Sequence, residues 1–124
     1  KKRWGRIGDS PVIGAGTYAD NNSCAVSCTG HGEYFIRHAV AFDVCARYKY
    51  LKESVEKAAD YIIHTELNTN AGNGGLIAVD KLGNIAMPYN SGGMFRGFLY
   101  KEKGRPEIKK GCGIGKKIVV VGEK

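Results

Sequence analysis

Apolar and polar positions alternate in short runs at both ends of the chain and fall into helical stripes in the middle. Pro11 to Ala19 reads as a strand interrupted by Gly14 and Gly16, and glycine inside a strand marks close approach by another backbone or a ligand. Asp20-Asn21-Asn22 is turn chemistry, and Ser23 to Thr29 is a second strand, so the two form an antiparallel hairpin. Glu33 to about Tyr50 is a long helix. Phe35, Ile36, Ala39, Val40, Phe42, Val44 and Cys45 spread around most of its circumference, which predicts burial on more than one side. Glu53 to Leu67 is a cleaner amphipath, with Val55, Ala58, Ala59, Ile62 and Ile63 on the i, i+3, i+4, i+7, i+8 stripe. Asn68 to Gly75 is a loop. Leu76–Val79 and Asn84–Tyr89 are short strands around the turn Asp80-Lys81-Leu82-Gly83. A further strand is expected over 94–100. Gly111, Gly113 and Gly115 mark a loop before an edge strand at Ile118–Val121.

The order is therefore β-β-α-α-β-β. Strands joined by tight turns make the sheet mainly antiparallel, with the two adjacent helices as one layer over it. Two hairpins leave the other sheet face bare. The pattern reads as an α+β fold that is half of a sandwich.

Composition changes this picture little. The 124 residues are an ordinary globular mixture and suit one domain or a piece of one. No apolar run approaches the roughly 20 residues that a membrane helix needs. No secretory signal is visible, and a chain that starts at Lys1 is expected to be processed, trimmed or partial. Most of the net charge of +7 sits late: residues 101–124 carry +5 of it, from Lys101, Lys103, Arg105, Lys109, Lys110, Lys116, Lys117 and Lys124 against three glutamates. Such a tail can meet nucleic acid or an anionic surface, but a solvated end is the simpler reading. Cys24 and Cys28 lie four strand steps apart, roughly 13 Å at about 3.3 Å per step. A disulfide needs Cα atoms within about 7 Å, so these two are neither a disulfide nor one zinc site with His31. Cys45 is expected as a small core residue, in a reduced, cytoplasmic setting.

Two segments carry candidate chemistry. In Arg6-Ile7-Gly8-Asp9, the arginine can hold a carboxylate bidentately and the aspartate an ammonium, the two charges of an α-amino acid end. Spacing alone favours a surface ion pair. In Thr29-Gly30-His31-Gly32-Glu33, the glycines let a ligand reach the backbone at a strand-to-helix junction. The N–H groups there, with the Thr29 hydroxyl, are the parts of an oxyanion hole. A capped helix start explains the same residues equally well. His31 adds a possible acid or base; His38 and His64 read as structural. Gly111 to Lys117 matches no phosphate-loop spacing.

Read in tandem and in order, GRIGDSPVIGAGTYADN, CAVSCTGHGEYFIRHAVAFDV, EKAADYIIHTEL and GGLIAVDKLGNIAMPYNSGGMFRG strongly resemble the β-subunit of plant-type asparaginases, which are also isoaspartyl peptidases. The resemblance covers residues 3–100. It implies the αββα sandwich of the N-terminal-nucleophile hydrolases, with residues 1–100 as part of a β-subunit and 101–124 as a divergent basic tail. It implies a precursor that cuts itself before a threonine, leaving α and β chains together as a dimer of such pairs. The new terminal Thr attacks asparagine or a β-aspartyl peptide bond, releasing aspartate and ammonia in the first case. No cofactor is implied, and any potassium or sodium ion would lie in the α-subunit. Arg6 matches the residue that holds the substrate α-carboxylate, Asp9 the one that holds the α-ammonium, and Ile7 and Gly8 complete that segment. Thr29 and Gly30 match the oxyanion pair, and His31 and Gly32 complete the second segment.

One departure stands out. The family's nucleophilic Thr precedes the GRIGDSP motif, and here Thr17, Thr29, Thr65 and Thr69 are all internal. The chain is therefore expected to be a fragment that is inactive alone. Its expected partners are a small amino-acid or β-aspartyl substrate and an α-subunit, with no membrane and no nucleic acid. The rival reading is a non-catalytic remnant or binding module that acts through the basic tail.

Overall fold

A computed structural model of the chain describes residues 4–101, 108–114 and 119–123. Lys103, Arg105, Lys116, Lys117, Ile118 and Lys124 of the basic tail lie outside these. The chain divides into two compact units, residues 1–90 and 91–124.

The first unit is α+β. Strands β1 (Thr17–Ala19), β2 (Cys24–Gly30), β3 (Gly74–Asp80) and β4 (Ile85–Ala86) form one antiparallel sheet in chain order. The expected hairpins are its two ends. Asp80 builds the second turn: its Oδ1 accepts the Leu82 and Asn84 N–H groups, each at 2.9 Å. The central β2–β3 pair joins the hairpins across the helices, with Val26 opposite Ala78 and Thr29 opposite Gly75.

Period-two alternation sets the two faces. Cys24, Val26, Cys28, Leu76, Ala78 and Ala86 point into the core beneath the helices. Ala25, Ser27, Ile77 and Val79 point the other way and are exposed. Helices thus cover one sheet face only, as half of a sandwich requires.

The helical layer departs from expectation in its first half. The segment 33–50 is two helices, α1 (Gly32–Arg37) and α2 (Val40–Tyr50), broken at Ala39, whose φ of 46° is left-handed. The cause is tertiary. The N–H groups of Ala41 and Phe42 donate to the carbonyls of Ala15 and Gly14, at 3.0 and 2.8 Å, so the 14–15 backbone satisfies the start of α2. Residues 11–16 are held in turns by the Val12 N–H bond to the Asp9 carbonyl and the Ala15 and Gly16 N–H bonds to the Val12 carbonyl, and only Thr17–Ala19 of the expected first strand pairs as a strand.

Burial of α2 is also one-sided. Val40, Ala41, Val44 and Cys45 are buried, whereas Phe42 is half-exposed and meets Tyr18 edge-on at 5.3 Å. The second stripe behaves as the spacing predicts. Helix α3 (Val55–Tyr61) is capped by Ser54, whose Oγ accepts the Lys57 N–H, and continues as a π-helical turn over Ile62–Leu67. Val55, Ala58, Ala59, Ile62 and Ile63 are all buried.

The second unit is a three-stranded antiparallel sheet: β5 (Arg96–Lys101), β6 (Ile108–Gly113) and β7 (Val119–Glu123). Gly111 and Gly113 were expected in a loop but lie in β6. Gly111 pairs with Phe98 and is buried.

No described helix is long and apolar enough to cross a membrane, and among the described residues no group of three or more His, Cys, Asp or Glu could hold a metal ion.

Candidate functional site

The two sequence segments meet in space. Arg6, Ile7, Gly8, Asp9 and Ser10 line one side of a cleft of about 200 Å³, and Thr29, Gly30, Gly32 and Glu33 line the other. That is smaller than the roughly 300–1,000 Å³ of sites for drug-sized ligands, and it suits a molecule the size of one amino acid.

Residues 6–10 are loop, and two features fix their path. Gly8 has φ of 81°, a left-handed turn that glycine takes without strain. The Asp9 carbonyl then accepts the Val12 N–H at 2.8 Å. Asp9 is 4% exposed and packs against Gly32: a Cβ on that glycine would lie 2.9 Å from both the amide nitrogen and Oδ1 of Asp9. Only a glycine lets the α1 start approach the aspartate this closely. Arg6, in contrast, is exposed at the rim. The Asp9 charge reaches further in as well. Burial is the main cause that holds the Cys28 thiol protonated, and the Asp9 carboxylate is the next.

The opposite wall is the end of β2. Gly30 pairs with Gly74 and has φ of 147°, a conformation closed to other residues. A Cβ on Gly30 would strike the Asn73 carbonyl oxygen and lie 2.6 Å from Gly74 Cα and 2.9 Å from the Phe35 ring. The His31 N–H donates to the Asn73 carbonyl at 2.8 Å, which ties the turn down. The His31 side chain is exposed near Tyr34, does not line the cleft and does not cap α1. The long helix expected to begin here is six residues long, so the loop N–H groups and the Thr29 hydroxyl, rather than a long helix dipole, are what an anion would meet. His38 and His64 lie elsewhere, beside Glu66 at 3.2 Å and Asp60 at 3.8 Å.

The geometry adds residues that spacing did not single out. Ser10 and Glu33 line the cleft beside the motif positions. Asn90 does not touch it but clamps its wall. The Asn90 side chain accepts the Gly74 N–H at 2.8 Å and donates to the carbonyls of Gly72 at 2.9 Å and Ile63 at 3.2 Å. Asn90→Ala would remove these three bonds to the backbone, and we expect a loss of about 2 kcal/mol, read as a lower urea midpoint. An unchanged midpoint would show that water replaces the side chain.

The family model for asparaginase matches residues 1–108. The chain belongs to the asparaginase family. Among asparaginase relatives, an isoaspartyl peptidase of Salmonella typhimurium is 51% identical over 96 residues, 77% of this chain and 31% of that protein. An isoaspartyl peptidase of Escherichia coli is 46% identical over 110 residues, 81% of this chain and 34% of that protein. A probable isoaspartyl peptidase/L-asparaginase of Arabidopsis thaliana is 51% identical over 96 residues, 77% of this chain and 29% of that protein. The chain spans about a third of the length of these asparaginase relatives.

Proposed function

We propose that this chain is the substrate-holding part of a hydrolase for L-asparagine and β-aspartyl peptides. The observation that carries the reading is the meeting of Arg6, Asp9, Thr29 and Gly30 in one amino-acid-sized cleft.

Both substrates share an α-amino acid end. Arg6 binds its carboxylate through the guanidinium fork, and Asp9 binds its ammonium. Glu33, the second acid on the cleft wall, adds to the negative field around the ammonium. The side-chain carbonyl of the substrate then faces the end of β2. There the Thr29 hydroxyl and the Gly30 N–H stabilise the oxyanion that develops when the carbonyl is attacked. Ile7, Gly8 and Gly32 shape the cleft, and His31 flanks it. No cofactor is required.

The attacking group is an N-terminal threonine, whose own amine serves as base. None of Thr17, Thr29, Thr65 and Thr69 is N-terminal here. Residues 1–100 act as a segment of a β-subunit, alongside an α-subunit in the cytoplasm, as a dimer of such pairs. The basic residues 101–124 are a divergent tail outside this chemistry.

The 124 residues alone are expected to release no ammonia from asparagine and no amino acid from a β-aspartyl dipeptide, in a coupled assay of the purified chain. Turnover that survives further purification would overturn the assignment of the nucleophile to a terminal threonine.

A further inference from the structure

Cys24 and Cys45 take no part in the proposed chemistry, yet their sulfurs lie against each other. Cys24 lies in β2 and Cys45 in α2, 21 positions later. Both are buried, and their sulfurs are 2.7 Å apart. The Cys45 sulfur also lies 3.2 Å from the Cys24 carbonyl oxygen. A disulfide bond is about 2.05 Å, so an approach of roughly 0.7 Å closes the gap.

The two thiols are electrostatically unlike. The contact between the sulfurs draws the Cys45 thiol below its ordinary value and, with burial, pushes Cys24 up, while the Cys45 thiol donates to the Cys24 carbonyl. Cys28, on the same face of β2, is kept protonated by burial and by Asp9. Cys24 also borders a surface depression of about 410 Å³ beside Asp20, Ser23 and Asp80.

We propose that Cys24 and Cys45 form a hydroperoxide-sensitive dithiol that closes to a disulfide tying α2 to β2. The Cys45 thiolate attacks one peroxide oxygen, the O–O bond breaks, and hydroxide leaves. The Cys24 sulfur then attacks the Cys45 sulfenic acid. The S–S bond forms, the S–O bond breaks, and the hydroxyl leaves as water with the Cys24 proton. Two thiols lose two electrons, and one hydrogen peroxide becomes two waters.

The test is made on the 124-residue chain. It is treated with a small excess of hydrogen peroxide, alkylated in denaturant, and digested with trypsin without reductant. Cleavage after Arg6, Arg37 and Arg47 puts Cys24 and Cys28 on one peptide and Cys45 on the next. The expected product is peptide 7–37 joined to peptide 38–47, with fragment ions that place the link at Cys24 and leave Cys28 alkylated. The unfolding midpoint of the oxidised chain should rise by about 5 °C or more and return on reduction. Cys112→Ser should keep both results, and Cys45→Ala should lose both. Three outcomes would overturn the proposal: Cys45 recovered as an alkylated thiol while Cys112 is oxidised, links scattered over all four cysteines, or a shift in midpoint that survives Cys45→Ala.

Discussion

Gly30→Ala is expected to destabilise the chain by about 4 kcal/mol, enough to remove its cooperative unfolding transition. Two costs add. A residue with a Cβ is strained at the φ of 147° held there. The new methyl would also strike the Asn73 carbonyl and crowd Gly74 Cα and the Phe35 ring. None of these can yield easily. Asn73 accepts the His31 N–H, Gly74 is paired to Gly30 across the sheet and clamped by Asn90, and Phe35 is fully buried. A urea titration followed by circular dichroism reads the effect. A midpoint within experimental error of the parent would mean that the β2–β3 crossing is looser than the structure shows.

Arg6→Ala is expected to leave stability nearly unchanged and to lower kcat/KM about 100-fold in an assembled enzyme that carries this segment. The side chain is exposed, so its removal should change the unfolding free energy by about 0.5 kcal/mol or less. The bidentate contact proposed for Arg6 with the substrate carboxylate is a charge-assisted pair, each bond of which is worth about 1.5–3 kcal/mol. KM should carry most of the loss. Arg6→Lys keeps the charge without the fork and should recover only part of it. Steady-state kinetics with asparagine and a β-aspartyl dipeptide make the comparison. An unchanged KM with normal turnover would move the carboxylate contact to another residue.

The local elements were legible wherever the chain's own chemistry decides them. The Val55–Ile63 stripe marks a helix whatever lies around it, and the Asp80 turn is closed by its own side chain. Contacts distant in sequence decided the rest. Ala39 is left-handed because the carbonyls of Gly14 and Ala15 reach the start of α2, and no property of residues 33–50 announces that. A period count likewise sees residues 33–50 as apolar around most of the helix, because it cannot know that only one side of it meets a sheet.

The cleft shows the same division. The chemical character of Arg6, Asp9, Thr29 and Gly30 is written in their residue types and order. Their convergence depends on Gly32 standing against Asp9 and on Gly30 crossing Gly74. Asn90 was hidden for a related reason. Its role is to satisfy backbone groups on three other segments, and a lone asparagine after a short strand carries no mark of that.

The uncovered sheet face has a thermal consequence. Its rows, Ala19-Ala25-Val79-Ile85 and Thr17-Ser27-Ile77, carry no charged side chain. Water displaced from such a surface drives association mainly through entropy near room temperature, and that drive fades on cooling. Whatever rests on this face is therefore held more loosely on ice than on the bench.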